Sequence, residues 1–251
     1  MIIIPRLKLG YQNIPKVATT SMVHWLYDCC EGGGERPRDL VGVADWKRRY
    51  FLSGRFGPFS IENRQECSAQ YEDHYRFAIV RDPIQRFLSM YRNRIVYHRE
   101  LSEQSGSAQA LREAGLPFDP DINGMIARLE GYFACSSSIA HHAQPMLPVL
   151  GPDLTAFTRI ADISEIDSVL ADIRSFWGAA GVVPEAKGME SDTLGVEQAS
   201  GARHIDLHSL EPASFERLLE YYRDDYACIP TVDADRVKQQ YAEARRRSVQ
   251  P

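Results

Sequence analysis

Nowhere in the 251-residue chain is there the run of roughly 18 apolar residues that a membrane-spanning helix needs. The apolar start, "MIIIPRLK", is interrupted by Pro5 and Arg6 before it reaches the length of a secretory signal, so the expectation is a soluble, cytoplasmic protein. Cysteine is sparse, five residues in all, and no two form a CxxC pair. Cys29 and Cys30 are adjacent, and no His or Cys cluster has zinc spacing, which excludes a disulfide framework and a structural zinc site and leaves reduced thiols. An excess of positive charge is also missing. The formal net charge of -5 argues against a general binder of nucleic acid or anionic membrane, so any anion site must be assembled from locally placed arginines and lysines. There is no internal repeat. What remains is a composition with 44% hydrophobic and 25% charged residues, enough for a substantial core, in a length that suits one domain over 1–251.

Strand patterns alternate with helix patterns along the chain. Residues 6–14 read as a strand with Leu7, Leu9 and Tyr11 on one face, and Thr19 or Thr20 can then start a helix that runs to about Cys30. "EGGGERPRD" is a loop, and 45–74 has no clear period apart from a turn at "RFGPFS". "YRFAIV", residues 75–80, is apolar enough for a buried parallel strand. Pro83 suits the first turn of a following helix that carries Phe87, Leu88, Tyr91 and Ile95 at helical spacing. Helices are expected within 102–117 and over 121–133, then a strand in "LTAFTRIADI" and a helix from Ser164, where "SEID" resembles a capping box. Residues 184–203 read as a mobile loop, and two helices near 211–225 and 233–247 close the chain. This order predicts an α/β fold: a central, mostly parallel sheet flanked by helices, with a P-loop-like core.

Two stretches carry anion chemistry. In "YQNIPKVATTSMVHWLY", residues 11–27, a strand ends near Pro15, Lys16 follows, and Ala18, Thr19, Thr20 and Ser21 precede a helical apolar pattern. Backbone N–H groups at a helix start point at a bound anion; the lysine adds a mobile cation and the hydroxyls add donors. A nucleoside-triphosphate loop would read GxxxxGK[ST], and here the glycines are absent and the lysine stands at the entrance. In "FAIVRDPIQRFLSMYRNRI", residues 77–95, Arg81 emerges at the carboxyl end of a buried strand and Ser89 lies about two helical turns on. Asp82 and Arg86, four apart in the favourable order, are expected to pair, which leaves Arg86 structural, while Arg92, Arg94 and Arg99 read as a solvated face. Trp25 and Tyr91 read as core, His24 as packing or surface, and the basic "EARRRS" end as a helix terminus matched to its dipole.

Taken together, a "PKxxxTS" turn and, some 60 residues later, "VRDPxxRxxSxYRN" resemble the sulfotransferases, the carbohydrate sulfotransferase group in particular. The resemblance implies that Lys16, Ala18, Thr19, Thr20 and Ser21 hold the 5'-phosphosulfate of 3'-phosphoadenosine 5'-phosphosulfate (PAPS), and that Arg81 and Ser89 hold its 3'-phosphate. It implies PAPS as donor, adenosine 3',5'-bisphosphate (PAP) as product, no metal, and a carbohydrate as acceptor. "HHAQPMLPVLG" is similar to the family's His-aromatic-x-Pro-Gln segment at His142 and Pro145, with Ala143 in place of the aromatic and Met146 in place of the glutamine. Ala161 stands where the family often has an acidic residue, and "YYRDDY" resembles its C-terminal helix, so the likeness runs in order over 11–227.

Sulfuryl transfer needs in-line positioning and charge stabilisation more than covalent participation. Negative charge grows on the bridging oxygen as PAP leaves, which gives Lys16 its expected catalytic role. The acceptor hydroxyl needs a general base, and His142 is the candidate by resemblance, with His74, Glu62 and Glu66 as alternatives. Two other readings stand beside this one: an ATP-dependent small-molecule kinase of P-loop type, and a nucleotide- or glycan-binding homologue without activity.

Overall fold

The structure is a computed structural model that describes residues 1–31, 71–184 and 205–247. In chain order the elements are β1 (Ile2–Ile4), β2 (Leu9–Gln12), α1 (Thr19–Glu31), β3 (Tyr75–Val80) and α2 (Pro83–Met90). A π-helical turn (Tyr91–Tyr97) follows α2, and then come α3 (Ala108–Glu113), α4 (Ile122–Ala127), α5 (Leu129–Cys135), α6 (Ser137–Ala143) and the single turn α7 (Leu147–Leu150). The chain continues through β4 (Arg159–Asp162) and α8 (Ile166–Ala180) to α9 (Pro212–Tyr221), α10 (Arg223–Cys228) and α11 (Ala234–Arg247). These form two compact units, Met1–Val80 with Val149–Glu197, and Arg81–Pro148 with Gln198–Pro251.

The first unit is the α/β part. Its four strands lie in the order β1-β2-β3-β4; β1 pairs antiparallel with β2, and the other two pairings are parallel. The expected strand over 6–14 is therefore shorter. Pro5–Leu7 make a tight helical turn closed by Lys8 in the left-handed region (φ 49°), and this turn folds the three initial isoleucines back as an additional strand. β2 and β3 are buried along nearly their whole length, the run expected of strands covered on both faces. Tyr11 lies opposite Phe77 in the register, and their rings stack with centroids 5.1 Å apart. Gly10 is closely covered: a Cβ there would meet Met1 Sδ at 2.8 Å and Arg76 Cγ at 3.1 Å, so those side chains would have to shift.

α1 buries Met22, Val23, Trp25, Leu26, Cys29 and Cys30, the apolar stripe its sequence spells. Trp25 stacks on Trp177 of α8, and the Trp177 indole N–H donates to Leu7 O at 2.7 Å, tying helix to sheet. The box that starts the last helix of this unit begins earlier than "SEID". Asp162 accepts from Ser164 N, and Glu165 reaches back to Asp162 N, both at 2.9 Å. The carboxylate at the last residue of β4 is better placed to cap than the serine two residues on.

The second unit is helical. α2 has Asp82 as N-cap and Pro83 in its first turn, and buries Ile84, Phe87, Leu88 and Met90. The helix widens after Met90, and His98 N donates to Asn93 O, five residues back. The helix expected within 102–117 is confined to Ala108–Glu113, and the one over 121–133 breaks at Arg128 into α4 and α5. Similarly, 211–225 divides at Tyr222 between α9 and α10, because the Tyr222 hydroxyl is drawn inward to Ala143 O at 2.6 Å. Phe215 and Tyr241 stack face to face at 3.9 Å, which docks α11. No helix among the described residues is long and apolar enough to cross a membrane.

Candidate functional site

β2 and β3 are parallel neighbours with Gln12 opposite Ala78, so both strands end at the same edge of the sheet. The lysine turn leaves the end of β2, and Arg81 is the residue after the end of β3. This is the edge at which open α/β sheets bind ligands.

The turn from Asn13 to Ala18 has two non-glycine residues in the left-handed region, Lys16 (φ 70°) and Ala18 (φ 57°). Such a backbone costs of order 1–3 kcal/mol per residue outside glycine, and it clusters at ligand sites. Left-handed residues turn successive N–H groups toward one point, making a concavity that accepts an anion. Thr19 starts α1, and its hydroxyl donates to Ile14 O at 2.6 Å, so this side chain closes the turn from within. Met22 N donates to Ala18 O at 3.0 Å as the first bond of the helix. Lys16 and Ser21 are half-buried beside it, and Thr20 lies in the first turn of α1. Beneath, Gln12 Oε1 and Asn13 Oδ1 are buried and unpartnered among the described residues. A lysine in a turn that opens a helix suits an anion; the two amide oxygens are acceptors and add nothing to it.

In the second unit Asp82 accepts from Gln85 N at 2.8 Å and from the Tyr226 hydroxyl at 2.7 Å. Burial raises its carboxyl above the usual aspartate range, against the lowering effect of these bonds. Arg81, Asp82, Gln85, Ser89 and Arg92 are partly exposed, while Ile84, Arg86, Phe87, Leu88 and Met90 are buried. Ser89 therefore stands on the accessible stripe of α2, and Arg81, ahead of the helix, is likewise partly exposed.

The expected Asp82–Arg86 pair is replaced. Arg86 is fully buried and donates to His142 O at 2.9 Å, to Ala143 O at 3.5 Å and, by a very short bond, to Gln144 O. Asp225, also fully buried, accepts from Met146 N and Leu147 N, each at 2.8 Å. A cation on three carbonyls and a carboxylate on two amides clamp the segment 142–147 from both sides. Backbone groups left bare inside a core are costly, which is why they outcompete a surface-type pair one helical turn away.

The clamp carries His142. Its Nε2 lies 2.7 Å from Arg94 Nη2, and its Nδ1 lies 2.7 Å from Ser138 O. The same guanidinium donates from Nη1 to Glu100 Oε1 at 2.9 Å. Arg94 was expected on a solvated face, and it is a site residue that the sequence reading missed. The widened turn over 91–97 shifts its direction, so no 3.6-residue spacing could have announced it. Glu100 and Ser138 also line an open cavity of about 760 Å³ in this unit. Half of the other lining residues are serines (Ser102, Ser105, Ser107, Ser136 and Ser137), and His98, Arg99 and Gln104 add further polar groups.

Among the alternatives for the base, His74 sits just before β3, at the opposite end of that strand from Arg81, with Nδ1 2.7 Å from Asp73 Oδ1. Glu62 and Glu66 lie outside the described residues, as does nearly all of the expected loop at 184–203. Trp25 and Tyr91 are core residues as expected, and the Tyr91 hydroxyl donates to Pro120 O. Cys29, Cys30, Cys135 and Cys228 are free thiols, and burial beside Cys30 and Asp28 pushes the Cys29 thiol up to about 12. No group of three metal-ligating side chains occurs among the described residues.

A model of the sulfotransferase family matches residues 1–228. The chain belongs to the sulfotransferase family. The match covers the lysine turn, Arg81, Ser89 and the His142 segment, and it ends before α11. Neither the curated proteins nor the solved structures offer a match to the chain. The family's chemistry is sulfuryl transfer, and the chain is a transferase of that kind.

Proposed function

We propose that the chain transfers a sulfonate from PAPS to a hydroxyl, or an amine, of a carbohydrate or glycan-containing acceptor, with residues 1–251 serving as one sulfotransferase domain. The observation that carries this reading is the left-handed turn at Lys16 and Ala18, which runs from β2 into the start of α1. The N–H groups of Ala18 to Ser21 and the Ser21 hydroxyl hold the 5'-phosphate. The Thr19 hydroxyl serves the turn itself. Arg81 and Ser89 take the 3'-phosphate. PAPS supplies the activated sulfonate. Lys16 meets the charge that develops on the leaving oxygen, an interaction stronger in the transition state than in the ground state. His142 accepts the proton of the acceptor hydroxyl at Nε2. The serine-lined cavity offers donors and acceptors to a polyhydroxylated molecule.

Calorimetric titration with PAP in the presence of a chelator tests the donor assignment. Binding without metal is expected, and binding seen only with magnesium and ATP would replace this reading with the kinase one. Incubation of labelled PAPS with a panel of acceptors separates an active transferase from a binding homologue.

A further inference from the structure

The hydrogen bonds around His142 determine its protonation. A guanidinium has only donors, so the nitrogen facing Arg94 Nη2, Nε2, must offer its lone pair. A peptide carbonyl has only lone pairs, so the nitrogen facing Ser138 O, Nδ1, must carry the proton. His142 is thereby held as the neutral, Nδ1-protonated imidazole from both sides, which leaves Nε2 chemically a base and physically covered.

Two further atoms bear on how the cover is lifted. Glu100 Oε2 and Arg94 Nε are both buried without a partner among the described residues. Arg94 now gives Glu100 one bond, Nη1 to Oε1. Turning the guanidinium so that Nη2 leaves His142 and reaches Oε2 would complete the two parallel bonds that arginine and carboxylate favour. One bond to a neutral acceptor is exchanged for one to a charged acceptor, and an orphaned oxygen is satisfied.

We infer that Arg94 is a latch on His142: it fixes the tautomer and covers Nε2 in the resting state, and Glu100 is the seat to which it withdraws to expose that nitrogen. Arg94 and Glu100 are positioning residues. Their use in turnover rests on the sulfotransfer reading, while their hold on the ring does not.

The test uses the full chain in two measurements. Ring ¹⁵N NMR, with His142→Asn to assign the signals, should find Nδ1 protonated and Nε2 bare in the wild type; a protonated Nε2 would overturn the inference. Acylation of His142 by diethyl pyrocarbonate, followed by fragmentation mass spectrometry to separate it from His141, reads how often Nε2 is uncovered. Arg94→Met should react at least about tenfold faster than wild type, since a bond from a charged donor is gone. Glu100→Gln should react more slowly, because its amide offers Nη2 no second acceptor and the latch stays closed. Circular dichroism shows whether each variant is folded, and Arg94→Gln, whose neutral amide is a weaker donor than the guanidinium, repeats the measurement with the same expected direction if Arg94→Met is not. Equal rates in wild type and a folded Arg94 variant would sink the latch, as would Glu100→Gln reacting like wild type. A wild-type protein that shows the expected ring chemistry but no sulfuryl transfer would end the functional reading and leave the latch standing.

Discussion

At the scale of single residues, the reading turns on Lys16, and burial of the Asp82 carboxylate gives a separate test. Lys16→Ala should lower turnover far more than it lowers PAP affinity, because most of the interaction belongs to the transition state. If one such contact is worth roughly 3 kcal/mol, as for an oxyanion-hole donor, turnover falls on the order of a hundredfold. Lys16→Arg should restore only part of it, since a planar fork does not place a point charge as an ammonium does. Steady-state kinetics and PAP titration on both variants decide; unchanged turnover in Lys16→Ala would reduce the turn to an anion-binding surface. Asp82 gives a second, independent test. Its folded-state pKa is raised by burial, so its contribution to stability is fully present below the unfolded value of about 3.9 and is lost as pH rises through the folded one. Asp82→Asn keeps both bonds, the oxygen accepting from Gln85 N and the amide donating to the Tyr226 hydroxyl. Urea denaturation should therefore find the variant gaining on wild type from pH 4 toward pH 7. A gap that narrows over that range would mean the carboxylate is stabilised as an ion.

At the scale of elements, the turn between β2 and α1 can be tested through its backbone. Ala→Gly inside a helix costs about 1 kcal/mol. At Ala18, with φ 57°, the left-handed strain of about 1–2 kcal/mol is relieved, against about 0.4–1 kcal/mol for the freer unfolded chain. Ala18→Gly should thus be neutral or stabilising by up to about 1.5 kcal/mol in denaturant titration, and a loss of the ordinary helical size would place Ala18 in right-handed backbone. Elements with a clear period were legible before the structure. The apolar run 75–80 is β3 residue for residue, and the stripe from Met22 to Cys30 is the buried face of α1. β1 was not legible, because three isoleucines have no alternation to show; their strand identity comes from pairing with Leu9–Tyr11. The position of Arg81 at the end of β3 could be read from the chain, since it needs only the strand's direction. Arg86 and Arg94 could not be read. One is taken by carbonyls 56–58 residues away and the other is aimed by a widened helical turn, and neither depends on local spacing.

At the scale of the whole molecule, a chain with a formal net charge of -5 is expected to bind a multiply charged anion through a few cations and oriented amides. Such binding has a thermal signature that needs no acceptor and no turnover. A ligand that binds only the folded state adds about 2.7 kcal/mol at a free concentration of 100 times its Kd. For a chain of this size each kcal/mol moves Tm by roughly 2–4 °C, so saturating PAP should raise Tm by roughly 5–10 °C. The shift should survive a chelator, since the contacts assigned to PAP are side chains and backbone N–H groups alone. It should shrink as salt rises, because Lys16 and Arg81 are partly open to solvent and ions screen such charges over about 10 Å at 0.1 M ionic strength. Arg81→Ala should reduce the shift without lowering the Tm of the unliganded protein, whereas a residue that merely holds the fold would lower both. A PAP-induced shift that appears only with magnesium, or that ATP reproduces in full, would remove the donor assignment and the roles of Arg81 and Ser89 with it.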